Sequence, residues 1–275
     1  MKTGDRSASA ARRGGRYIDI HAHIYDPIPE PSDEALGDAV RLARWYGIEH
    51  LILVGNATGL ISDHNPSPDL VSDINTYTLG AMRRFPDVFI GFCYLNPAHP
   101  VGFIEEEIER CIAQGGMRGI KLWVSVKATD SRLDPVMTRA QELGVPVLHH
   151  AWYQQTEYSH NGSTPAEIAD LGRRFPDVTL VMAHLSGGRE RGVLDIADLP
   201  NVLVDTSGSQ PEAGMVEYAV RHLGAERVVY GSDWPIRDFG TQVARVLSAD
   251  VSDGAKDLIL RGNAARVLGI EETSG

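Results

Sequence analysis

Five of the chain's ten histidines stand at the ends of short apolar runs: His21, His23, His149, His150 and His184. Neutral imidazole binds divalent ions and exchanges protons near neutral pH. His21 and His23 are two residues apart, so on a strand they share one face, and both rings can reach one ion. His149 and His150 are neighbours and face opposite ways, so one of them is expected as a ligand. The other should point toward the helices or support the site from behind. His184 opens the string Leu185-Ser186-Gly187-Gly188, where glycines would let the backbone approach a bound ligand. Asp233 lies in Tyr230-Gly231-Ser232-Asp233-Trp234-Pro235. A buried carboxylate needs a cation or several donors to stay ionised, and a metal among histidines would supply one. Taken singly, these residues also read as hydrogen-bonded core histidines and a turn-capping Asp. Their convergence favours a metal or proton-transfer role. His50, His64, His99, His160 and His222 fall mostly on helices and loops.

The elements that must position these residues alternate along the chain. Eight β-branched, apolar runs are expected strands: 17–20, 50–54, 88–94, 119–123, 145–149, 178–183, 202–205 and 228–230. Apolar residues at nearly every position mark strands buried on both faces, as in a parallel sheet. Helix-like segments lie between them at 33–46, 71–85, 102–114, 135–143, 165–175, 191–197 and 212–223, with a last pair at 240–247 and 254–268. The count and order predict an α/β fold, a (β/α)8 TIM barrel in a single domain, with the strand ends gathered at one mouth. A doubly wound sheet would show a Gly-rich turn after its first strand, and Ile20-His21-Ala22-His23 has none. The string Arg-Arg-Phe-Pro-Asp-Val occurs at 83–88 and again at 173–178, and reads as a repeated helix stop. Residues 1–16 read as a disordered leader, and 17–275 as the barrel domain.

The chain has 275 residues, 43% apolar and 23% charged, the balance of a globular protein. Its net charge of −11 argues against nucleic acid and membrane surfaces as partners and names no substrate; the expected partner is a small-molecule substrate at the histidine site. Two cysteines, Cys93 and Cys111, exclude a disulfide framework and fit a cytoplasmic location.

Read together, the motifs resemble the metal-dependent amidohydrolase superfamily, in particular amidohydrolase family 2, which includes aminocarboxymuconate semialdehyde decarboxylase. The matching strings are Asp19-Ile20-His21-Ala22-His23, His150 after the Pro146 strand, Ala183-His184-Leu185-Ser186-Gly187-Gly188, Gly231-Ser232-Asp233-Trp234-Pro235 and Asn263-Ala264-Ala265-Arg266-Val267-Leu268. The resemblance implies one divalent ion, zinc first and manganese or another ion second, held by His21, His23, His150 and Asp233. It favours His150 over His149 because His150 stands four residues after Pro146. It places His184 beside the metal-bound water or as a further ligand, with His184 and Asp233 as the catalytic pair. Lys121 would either meet substrate or, carboxylated, bridge two ions. Homodimers are common among similar proteins.

A metal-activated water makes hydrolysis of an amide, ester or lactone the leading expectation. The alternative is a non-oxidative decarboxylase of an aromatic or muconate-like acid. A third reading is a catalytically silent metal-binding barrel. Substrate contacts are expected from Lys121, Trp123, Trp152, Tyr153 and Arg237. Arg189 is a further candidate, balanced against a surface ion pair. Asn56 and Asn96 are expected to do turn chemistry.

Overall fold

The computed structural model of the chain describes residues 16–153, 161–208 and 212–271. The expected leader lies, Arg16 aside, outside these residues.

Parallel strands alternate with helices along the whole described chain: β1 (Tyr17–Ala22), β2 (Ile48–Leu53), β3 (Phe89–Gly91), β4 (Cys93–Leu95), β5 (Ile120–Leu122), β6 (Val147–His149), β7 (Leu180–Met182), β8 (Val202–Asp205) and β9 (Val228–Val229). They pair in sequence order, β1-β2-β3 and β4 through β9. The run expected as one strand over 88–94 is interrupted at Phe92, whose N–H still bonds Leu53 O at 2.9 Å. The last strand meets the first: Ile20 N donates to Tyr230 O at 3.0 Å, and Ala22 pairs with Trp234. This is the expected TIM barrel.

Alternation along the strands sorts the core into two layers. Ile18, Ile20, Ile52, Leu148, Val181, Leu203 and Val229 form one buried cluster, packed with Ala264, Ala265 and Leu268 of the last helix. Their strand neighbours, among them Leu51, Leu53, Ile120, Val147, Met182 and Val204, pack with the surrounding helices. The interior is therefore filled with side chains below the mouth, and the polar residues collect above that plug.

Helix ends follow local chemistry. Ser32, Ser67 and Thr164 cap the helices Asp33–Trp45, Pro68–Arg84 and Pro165–Arg174, the last with a reciprocal Thr164–Glu167 capping box. The repeated Arg-Arg-Phe-Pro string gives the same stop twice. Phe85 and Phe175 have φ/ψ of −134/68 and −128/69, and their N–H groups bond Ala81 O and Leu171 O. Asn56 caps the helix Ala57–Ser62 through Gly59 N, and Asn96 accepts from Ala98 N, so both do turn chemistry. The helix expected at 191–197 instead spans Leu185–Asp195 and starts directly after His184. No described helix is long and apolar enough to cross a membrane.

Candidate metal centre and active site

The first strand carries a local irregularity that aims the site. From Asp19 to Ala22, β1 advances three residues while its partner advances two, Leu51 to Leu53. This is a β-bulge. Ile18 and Ile20 face the interior plug, and without the extra residue His21 would face the helices. The bulge turns His21 and His23 inward and leaves Ala22 outside. Asp19 braces the bend: its Oδ1 accepts from His21 N at 3.1 Å and from Ser232 N at 2.9 Å.

Each imidazole on this strand is tied at Nδ1. His23 Nδ1 donates to Gly55 O at 2.9 Å, and a carbonyl can only accept. His21 Nδ1 meets Asp205 Oδ2 at 2.7 Å. Both rings therefore present Nε2 to the cavity, 3.7 Å (His21) and 3.4 Å (His23) from Asp233 Oδ1. Asp233 sits at φ 61, a left-handed backbone, and its N–H donates to His21 O at 2.7 Å. Burial pushes the Asp233 carboxyl up, but the surrounding imidazoles of His23, His184 and His21 hold it well below the usual carboxylate range. Gly231 backs this corner, because a Cβ there would lie 3.0 Å from His21 Cβ and 3.2 Å from Asp205 Cβ.

A second pair of rings lies beside the first. His184 has φ 72, rare for a residue other than glycine, and its N–H is held by Asp205 Oδ1 at 2.9 Å. Its Nε2 stands 3.1 Å from His150 Nδ1. Burial lowers the pKa of both rings; His184 and Lys121 lower that of His150 further, and Lys121 and His23 lower that of His184 against the pull of Asp233 and Asp205.

Lys121 projects into the same space from β5 and is 1% exposed. Its Nζ lies 3.3 Å from His21 Nε2. Burial brings its ammonium down to about 8, against the pull of Asp205 and Asp233. Burial and Lys121 together take His21 down to about 3, so it is neutral.

These groups enclose a cavity of about 150 Å³. Its polar wall is His21, His23, Lys121, His150, His184 and Asp233, and its apolar wall is Ala57, Trp123 and Ile236. His21, His23, His150, His184, Asp233, Lys121 and Trp123 thus meet where the sequence placed them. His149 faces away: its Nδ1 donates to His150 O at 2.8 Å and it is fully buried.

Three expected substrate contacts sit elsewhere. Trp152 backs the histidines rather than lining the cavity, with its ring 6.5 Å from that of His150 and 5.4 Å from that of His184. Tyr153 turns outward, because its hydroxyl bonds Asp195 and Arg191 covers its ring. Arg237 is off the cavity wall, with Nη1 on Ile236 O at 2.7 Å. Arg189 pairs with Glu212 at 3.3 Å, the surface ion pair. The glycines after His184 also serve packing rather than a ligand. A Cβ on Gly187 would lie 2.3 Å from the Trp152 ring, and one on Gly188 would meet Pro165. Asp205, Ser207 and Asp19 escaped the sequence reading of the site, as did Ala57 and Ile236.

The donor set suits a divalent cation. His21, His23 and Asp233 each offer a ligand atom, all within 4.8 Å of one another, and all three residues are buried. The Nδ1 bond of His23 leaves its Nε2 lone pair facing the Asp233 carboxylate at 3.4 Å, an arrangement of acceptors that a cation resolves. Borderline N and O donors accommodate zinc, manganese and similar ions.

A filled parallel barrel with buried histidines and an aspartate at its mouth is the architecture of a metal-dependent barrel enzyme. The amidohydrolase family model (Amidohydro_2) matches residues 18–270, and the chain belongs to this family. It is 22% identical to a gamma-resorcylate decarboxylase from a Polaromonas species, over 83% of this chain and 86% of that one. Among solved structures, a 2,6-dihydroxybenzoate decarboxylase from Rhizobium superposes with a TM-score of 0.75 at 17% identity, covering 93% of this chain and 99% of that one. A Polaromonas dihydroxybenzoic acid decarboxylase with bound manganese and 2-nitroresorcinol gives 0.73 at 17% identity, covering 94% and 98%. The expectation of a hydrolase is corrected by these findings, since all three relatives are decarboxylases. Histidine and carboxylate donors suit an ion that activates water as well as one that polarises an acid, so these residue types alone did not distinguish the two reactions. Zinc as the first choice of ion finds no support in these neighbours, one of which holds manganese.

Proposed function

We propose that the chain is a divalent-metal-dependent, non-oxidative decarboxylase, a lyase acting on a small aromatic acid. The observation that carries this reading is the meeting, in one cavity of about 150 Å³, of the His21–His23–Asp233 group, a buried ammonium and a hydrogen-bonded histidine pair. The decarboxylase relatives support it.

His21, His23 and Asp233 would hold the ion, with His150 as a further donor. Manganese is preferred over zinc because a neighbouring decarboxylase structure holds it. When bound, the ion supplies a Lewis acid for a substrate oxygen.

The chain's own residues do the rest. Loss of CO2 from an aromatic carboxylate breaks the ring–carboxyl bond, leaves its electron pair on the ring carbon and adds one proton there. His184 and Asp233 are the wall groups able to carry that proton. Lys121 offers a cation to the acid's oxygens. Trp123, Ala57 and Ile236 give a planar ring an apolar seat.

Incubation of the manganese-loaded protein with 2,6-dihydroxybenzoate and other hydroxybenzoates tests the reading. CO2 and the matching phenol should form together. Absence of CO2 with every acid in the set rejects it.

A further inference from the structure

Asp205 closes β8, and Ser207 follows two residues later. Both are fully buried, and neither lines the cavity. Asp205 Oδ2 accepts from His21 Nδ1 at 2.7 Å. Its Oδ1 accepts the N–H of His184 at 2.9 Å, the N–H of Ser207 at 2.9 Å and the Ser207 hydroxyl at 2.5 Å.

These bonds fix proton positions by elimination. The Ser207 hydroxyl proton is committed to Asp205, so Ser207 Oγ accepts from His184 Nδ1, 2.9 Å away. A His184 ring with its single proton on Nδ1 has a bare Nε2. His150 Nδ1, 3.1 Å from it, must be the donor, which leaves Nε2 as the bare nitrogen of His150. One carboxylate thereby orders three imidazoles, His21 directly and His184 and His150 through Ser207. The same carboxylate holds the left-handed backbone of His184.

We infer that Asp205 and Ser207 are positioning residues that serve two arms. Through His21, Asp205 governs retention of the divalent ion. Through Ser207, it sets the ring orientation and tautomer of the His184–His150 pair, in which His184 handles the proton. Ser207 acts chiefly on the second arm, and its Oγ touches the first only at 3.4 Å from His21 Nδ1. The inference rests on the decarboxylase reading for its kinetic arm only.

The test uses the full chain and two variants, Ser207→Ala and Asp205→Asn. Two-bond 1H–15N imidazole spectra of the zinc-loaded protein report the His184 tautomer. Calorimetry with manganese chloride reports ion affinity. In Ser207→Ala, the His184 signals should leave the Nδ1–H pattern. Its kcat for CO2 release should fall about 10- to 100-fold, with KM within about twofold of the parent and manganese affinity falling less than in Asp205→Asn. Asp205→Asn should bind manganese about 10- to 100-fold more weakly. Unchanged His184 signals or unchanged kcat in Ser207→Ala overturns the inference, as does parental manganese affinity in Asp205→Asn. Ser207→Ala removes a single oxygen and keeps the test open if Asp205→Asn does not fold. If the parent chain releases no CO2, the decarboxylase reading falls, and the spectra and calorimetry decide this inference by themselves.

Discussion

His23 Nε2 stands 3.4 Å from Asp233 Oδ1, while its Nδ1 is held by Gly55 O at 2.9 Å. A neutral ring so tied turns a lone pair toward a carboxylate, and only a cation or an added proton reconciles them. Asp233→Asn should therefore act with opposite signs in two states. Without metal, the amide can donate to His23, and the variant should melt higher than the parent by a few °C, as expected for about 1 kcal/mol. With manganese added, the parent should gain stability that the variant lacks. Thermal melts with chelator and with manganese chloride check both signs.

Lys121 is the buried ammonium in the cavity wall, 3.3 Å from His21 Nε2. Lys121→Met keeps much of the volume and removes the charge. Loss of a charge-assisted contact to the acid should raise KM about 10- to 100-fold. Stability should not fall, because burial of the ammonium is itself unfavourable, as its lowered pKa of about 8 records. Steady-state kinetics and a denaturant titration check the two halves.

Gly231 leaves no room for a side chain behind His21 and Asp205. Gly231→Ala should cost about 1–3 kcal/mol through overpacking. It should also weaken manganese binding, because both residues it pushes are at the site. Gly116→Ala is the control: nothing lies within 4 Å of its added Cβ, so its cost is the left-handed backbone alone, without loss of manganese.

Away from the site, Glu107 is buried and bonded by Arg110 Nη2 at 2.8 Å, Asn75 Nδ2 at 2.8 Å and Ser72 Oγ at 3.0 Å. Burial alone would raise its pKa, but the Arg110, Asn75 and Ser72 bonds hold it below the ordinary value. A carboxyl depressed in the folded state binds fewer protons there than in the unfolded chain. Its stabilisation is therefore present above the ordinary Glu pKa and is lost as the pH falls through the depressed one. Glu107→Gln should cost about 2 kcal/mol at pH 7, with the half-exposed Arg110 moderating it, and much less near pH 3. Denaturant midpoints at the two pH values check this.

The barrel was legible because most strands are apolar on both faces and several helices carry their own stop, as at Phe85 and Phe175. The metal-binding candidates were legible because histidines are rare and five stand at strand ends. Asp205 and Ser207 were not. An Asp at a strand end and a Ser after it are ordinary, and their meaning comes from His21, 184 residues away in sequence, and from His184. The β1 bulge was hidden too: spacing puts His21 and His23 on one face but cannot say which face, and the extra residue decides it. Tyr153 misled because its place after the His149–His150 pair said nothing of Asp195, the partner that draws it outward. The reaction type was hidden because the candidate ion-holding residues carry no mark of the substrate.

The most direct test of the account is CO2 release from 2,6-dihydroxybenzoate or a related hydroxybenzoate as manganese is titrated back into chelated protein. The account predicts no CO2 before addition, a rise that saturates at about one ion per chain, and no such rise in a His21→Ala, His23→Ala double variant. CO2 release that survives chelation, or that returns equally in the double variant, contradicts it.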